Sequence, residues 1–169
     1  MVADLLTAAR LGVSVILPAV LWPRGSLTAA AVLVSAAWIS DVVDGRLARY
    51  SGGEGRLGHW DLTADTAVGA GVVVGLAGAG AVPAWYAVSA LFLLGAWFLR
   101  TRSLASSMIL QLSGYVPLLW TLLREQADWW WLPFFAALLI GLVDWRRLIE
   151  VNVPGFLRSV TPRNWRRVT

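Results

Sequence analysis

The sequence predicts an all-α integral membrane protein with six transmembrane helices and both termini on the cytoplasmic side. Three observations lead to it. Of 169 residues, 58% are hydrophobic and only 14% charged, and the mean hydropathy of +0.67 lies well above that of a soluble domain of this size. Apolar stretches close to the roughly 20 residues that a bilayer span requires recur with short separators. The arginines fall unequally on alternate loops, as they do in multi-pass membrane proteins.

The first span, residues 5–22, carries Arg10 and is followed by no small-residue cleavage pattern, so it reads as a membrane helix and not as a leader. The second, 27–47, closes on Asp41 and Asp44; the third, 60–80, opens on Asp61 and Asp65. The third is also rich in Gly and Ala, and Gly71 and Gly75 stand in the GxxxG spacing that lets helix backbones approach closely and permits a homodimer. Spans four to six cover 82–99, 104–123 and 129–145, the last preceded by Trp129, Trp130 and Trp131 at the boundary where indole rings favour the headgroup layer. Residues 1–153 then form one six-helix transmembrane domain. The basic stretch 154–169, with Trp165 and Val168 among its arginines, is expected to rest on anionic lipid as a cytoplasmic or interfacial tail.

All 14 basic residues are arginines, and the pI near 10.6 would suit a nucleic-acid binder were they not placed beside apolar segments. One set of loops holds only Arg24 and Arg124, the latter beside Glu125 and Asp128. The other holds Arg46, Arg49 and Arg56, then Arg100 and Arg102, then Arg146, Arg147 and the arginines of the tail. The positive-inside rule puts this second set in the cytoplasm, which for a bacterial chain means the inner face of the plasma membrane.

The absence of cysteine excludes disulfides, thiolate catalysis and cysteine-held metals, and a single histidine, His59, cannot build a histidine cluster. The chemistry therefore rests on carboxylates. Asp41 and Asp44 stand at i, i+3 and Asp61 and Asp65 at i, i+4, so each pair emerges from one face of its helix. The short cytoplasmic connection brings the pairs to the same membrane depth. Four acids that close repel one another unless cations neutralise them, and an all-oxygen set favours Mg²⁺ or Mn²⁺, with room for two ions. Pairing with Arg46, Arg49 and Arg56 at the helix ends would be a purely structural alternative.

The string from Asp41 to Asp65, DVVDGRLARYSGGEGRLGHWDLTAD, resembles the signature of the CDP-alcohol phosphotransferases, DxxDGxxAR followed after eight residues by GxxxDxxxD. Asp41, Asp44, Gly45, Ala48, Arg49 and Gly58 match in type and spacing, and Asp61 and Asp65 keep their mutual spacing. Two residues, His59 and Trp60, stand between Gly58 and Asp61 where the family has three. Leu6, Thr7 and Arg10 are similar to the family's LTxxR in its first helix.

The resemblance implies that an alcohol attacks the β-phosphorus of a CDP-linked donor, usually CDP-diacylglycerol, and releases CMP. It implies that Asp41, Asp44, Asp61 and Asp65 hold metal, with Asp65 also the general base. Gly45 and Ala48 would leave room for the nucleotide, as Gly58 would for its cytidine. Arg49 would steady the nucleotide or a phosphate, and Arg10 would meet a donor phosphate or Asp4. Arg100 and Arg102 are candidates for an anionic acceptor, glycerol 3-phosphate first and inositol phosphate second. A small cation transporter or a catalytically silent relative are the competing readings.

Overall fold

The computed structural model describes residues 2–22, 25–50 and 60–160, and among these the regular structure is entirely helical. Helix α1 spans Val2–Leu21, α2 Leu27–Tyr50 and α3 Asp61–Gly78. Helix α4 covers Ala84–Thr101 with a π-helical turn at Ala90–Leu94, and α5 covers Leu104–Arg124. These five are long and apolar enough to cross a membrane. Ser103 starts α5, its hydroxyl accepting from the Ser106 amide at 3.2 Å.

The sixth expected span differs. Helix α6, Leu132–Val143, has 12 residues, about 18 Å at roughly 1.5 Å per residue, against a hydrocarbon core of about 30 Å. Backbone angles set both ends. Trp129 takes a left-handed conformation at φ 63°, which keeps the tryptophan run in a turn, and Asp144 leaves the helical region at φ −113°, ψ 24°. Helix α7 follows over residues 145–160, with a π-helical turn at Leu148–Asn152. Pro154 lies inside its last segment, Val153–Val160, which packs back on the start of α5, where the Ala105 amide donates to Ser159 Oγ at 3.2 Å.

The buried core forms where α1, α2, α3 and α5 meet, around Leu17, Val34, Val68, Val72, Leu118 and Leu122. Large apolar side chains also face outward, Val15 at 75% exposure and Phe92 at 72%. That is costly in water and favourable in lipid. The small residues of α3 explain how the core closes. A Cβ at Gly71 would fall on the Ser14 carbonyl of α1, one at Gly75 would stand 2.9 Å from Leu21 Cβ, and one at Gly69 would stand 2.7 Å from Gln111 Cα of α5. Gly69, Gly71 and Gly75 therefore face the chain's own α1 and α5.

Candidate active site

Helix α2 ends, and α3 begins, on the same side of the bundle. Asp61 is the first residue of α3, where the partial positive charge of a helix N-terminus favours a carboxylate, and Asp65 follows one turn later. Helix α1 packs against both neighbours. It sends Thr7 and Arg10, about a turn apart, into the space between the acids.

Arg10 joins all four carboxylates. Its Nη1 donates to Asp41 Oδ1 at 2.9 Å and to Asp65 Oδ1, and its Nη2 donates to Asp44 Oδ2 at 3.0 Å and to Asp61 Oδ1. The Thr7 hydroxyl also donates to Asp44 Oδ2, at 3.3 Å. The Arg10 side chain is 1% exposed while those of Asp41 and Asp61 are 43% and 40% exposed, so the cluster is closed behind by α1 and open in front. A guanidinium buried to this degree is tolerable only when paired. One formal positive charge against four negative ones leaves a surplus of negative charge facing the opening.

Two cavities meet at that opening. One of about 320 Å³ is bounded by Asp41, Asp61 and Asp65 and, across from them, by Asp144, Arg147 and Asn152 of the α6–α7 region. The other, of about 370 Å³, shares Asp41, Asp65 and Gln111 and continues between Trp38, Tyr115 and Ile140. Trp38 and Tyr115 meet edge to face with centroids 5.0 Å apart. Gln111 Nε2 donates to Ser107 Oγ at 2.9 Å, and that hydroxyl pairs with Thr66 Oγ1 at 2.7 Å, which ties α5 to α3 one residue beyond Asp65. The first cavity has a polar mouth, the second an apolar interior.

The four aspartates expected from the sequence are thus brought together, and Arg10, expected at a donor phosphate or Asp4, lies among them. The alternative in which Arg46 neutralises the acids is not what the chain does. Arg46 Nη2 donates to the Val143 carbonyl at 2.9 Å and to Asp144 Oδ1 at 3.4 Å, tying α2 to the end of α6. Gly45 is half-buried on α2. Ala48 and Arg49 continue that helix, but their side chains, with Arg56, Gly58 and His59, lie outside the described residues. Arg100 is exposed, and Arg102, left-handed at φ 46°, donates to Thr63 Oγ1 at 3.1 Å. Neither borders the two cavities; among the described residues Arg147 lines the first of them. In the sequence Arg147 reads as topology alone, and no motif marks Asp144 or Asn152. Thr7 stands in the sequence only as part of the first-helix LTxxR pattern.

The donor set suits a divalent metal. Asp41, Asp61 and Asp65 each offer one carboxylate oxygen within 4.8 Å of the others, with no sulfur or imidazole among them. The cage opens onto a cavity with a polar mouth and onto one with an apolar interior. A family model described as CDP-alcohol phosphatidyltransferase matches residues 1–110. Neither a curated protein nor a solved structure matches the chain.

Proposed function

Because the chain belongs to the CDP-alcohol phosphatidyltransferase family, whose members transfer a phosphatidyl group and use divalent metal ions, we propose the following reaction. The phosphatidyl group of CDP-diacylglycerol passes to a small anionic alcohol with release of CMP, at the cytoplasmic face of a bacterial plasma membrane. Glycerol 3-phosphate is the first-choice acceptor and inositol phosphate the second. The observation that carries the proposal is the convergence of two helical carboxylate pairs on an opening that is polar on one side and apolar on the other.

Asp41, Asp44, Asp61 and Asp65 would hold Mg²⁺ or Mn²⁺, as a pair of ions. Bound metal would neutralise the diphosphate and the CMP leaving group. Asp65, on the wall common to both cavities, would accept the hydroxyl proton as the alcohol oxygen bonds to the β-phosphorus. The bond from that phosphorus to the oxygen kept by CMP breaks in the same displacement. The glycerol end of the donor would enter beside Trp38 and Tyr115, with its acyl chains in lipid and its nucleotide over Gly45, Ala48, Arg49 and Gly58. The acceptor would enter from the polar mouth, its anionic group toward Arg147. The wall of that mouth facing the acids, with Asp144, Arg147 and Asn152, lies beyond residue 110, outside the family match, and is the natural place for acceptor choice.

The test is CMP release by the purified full chain from CDP-diacylglycerol across a panel of alcohols. Glycerol 3-phosphate should support release, and Asp65→Asn should lower kcat about 10²- to 10⁴-fold with little change in donor KM. Wild-type turnover by Asp65→Asn would remove that residue as base, and no release with any acceptor would favour a silent relative or a cation transporter.

A further inference from the structure

We propose that Arg10 is an internal cation that holds the aspartate cage closed and competes with the divalent ion for the same carboxylate oxygens. The inference rests on the reading of the cluster as a divalent-ion site and adds a function to a residue outside the metal-binding set.

The contacts are unusual in number. Arg10 places both terminal nitrogens on four carboxylates drawn from two helices, at sequence separations of 31, 34, 51 and 55 residues. The Asp41, Asp61 and Asp65 carboxylates that form the cation cage are among those it binds. Its planar fork can bridge acids that a point charge would reach only one or two at a time. Arg10 Nε is buried with no partner. A guanidinium serving only as structural glue would be expected to satisfy that donor too, since leaving it unmade is unfavourable. The side chain is instead anchored at its outer end alone, by groups that a metal also needs.

Three consequences follow from elementary electrostatics. Without metal, the guanidinium screens four acids that would otherwise repel, and so keeps α1, α2 and α3 together. With metal, the oxygens cannot serve both cations fully, so the apparent affinity for the ion is lowered by the fraction of cages that Arg10 closes. Because the fork and not the charge alone does the closing, lysine at position 10 should compete less well although it keeps the positive charge.

The experiment measures Mn²⁺ binding by electron paramagnetic resonance of the free ion, with thermal unfolding in parallel, on the detergent-purified full chain. Wild type is compared with Arg10→Lys, Arg10→Met and Asp61→Asn. The expected result is Mn²⁺ binding about ten-fold tighter or more in Arg10→Lys and tighter still in Arg10→Met. Both variants should unfold at lower temperature than wild type without metal and recover more of the difference when Mn²⁺ is added. Should Arg10→Met fail to fold, Arg10→Lys carries the comparison. Wild-type or weaker Mn²⁺ affinity in Arg10→Lys, with Asp61→Asn weakened, would overturn the competition and leave the metal site standing. No Mn²⁺ binding by any of the four proteins would overturn both.

Discussion

Gly69→Ala probes the link between helix packing and the site. The added Cβ would stand 2.7 Å from Gln111 Cα and 3.1 Å from its Cγ, where ordinary contact begins at 3.4 Å. The nearer obstacle is backbone, so α3 and α5 must part by about 0.7 Å, the difference between those distances. Overpacking of this kind costs about 1–3 kcal/mol, while alanine in a helix regains up to about 1 kcal/mol over glycine. Gly12→Ala isolates the second effect, because nothing lies within 4 Å of a Cβ there. The packing cost is then the difference between the two variants, read at roughly 2–4 °C of melting temperature per kcal/mol. Gly69 sits one turn beyond Asp65, and its obstacle, Gln111, borders the same cavity as Asp65. A displacement near 1 Å can cost about 10²-fold in rate, so CMP release should fall at least several-fold in Gly69→Ala and stay near wild type in Gly12→Ala. Equal melting and equal turnover in the two variants would refute the close approach of α3 and α5 and its role in aligning the site.

Two further outcomes are expected. Arg147→Gln should raise the KM for an anionic acceptor about ten-fold or more, the loss of one charge-assisted contact, and leave the donor KM within about two-fold, whereas Arg102→Gln, directed at Thr63 and away from the cavities, should change neither; steady-state kinetics with each substrate varied in turn would check both. Chelation should abolish CMP release and added Mn²⁺ or Mg²⁺ restore it, followed by activity and melting together; turnover that survives exhaustive chelation would contradict the metal reading of the aspartates.

The helices and the acid pairs were legible in the sequence because both are local. Hydropathy over some twenty residues marks a span, and i, i+3 or i, i+4 spacing puts two aspartates on one helix face wherever that helix lies. The short connection from α2 to α3 made their convergence readable as well. The limits of α6 were harder to read, since residues 129–143 are one continuous apolar run while the left-handed Trp129 and the backbone angles at Asp144 are not written in hydropathy.

Tertiary structure alone decided what stands opposite the acids. Arg10 meets them across 31 to 55 residues of chain, Arg46 crosses 98 residues to Asp144, and Arg147 reaches the cavity from a helix beyond every motif. An arginine near a helix end looks the same in sequence whether it answers the membrane potential, a substrate or another helix. Its partner is chosen by how helices pack, and in α3 that choice depends on glycines whose missing side chains let α1 and α5 come close. The composition of a membrane protein with a carboxylate cluster was therefore written locally, while the guanidinium that meets the cluster and the wall across from it were set by contacts between distant parts of the chain.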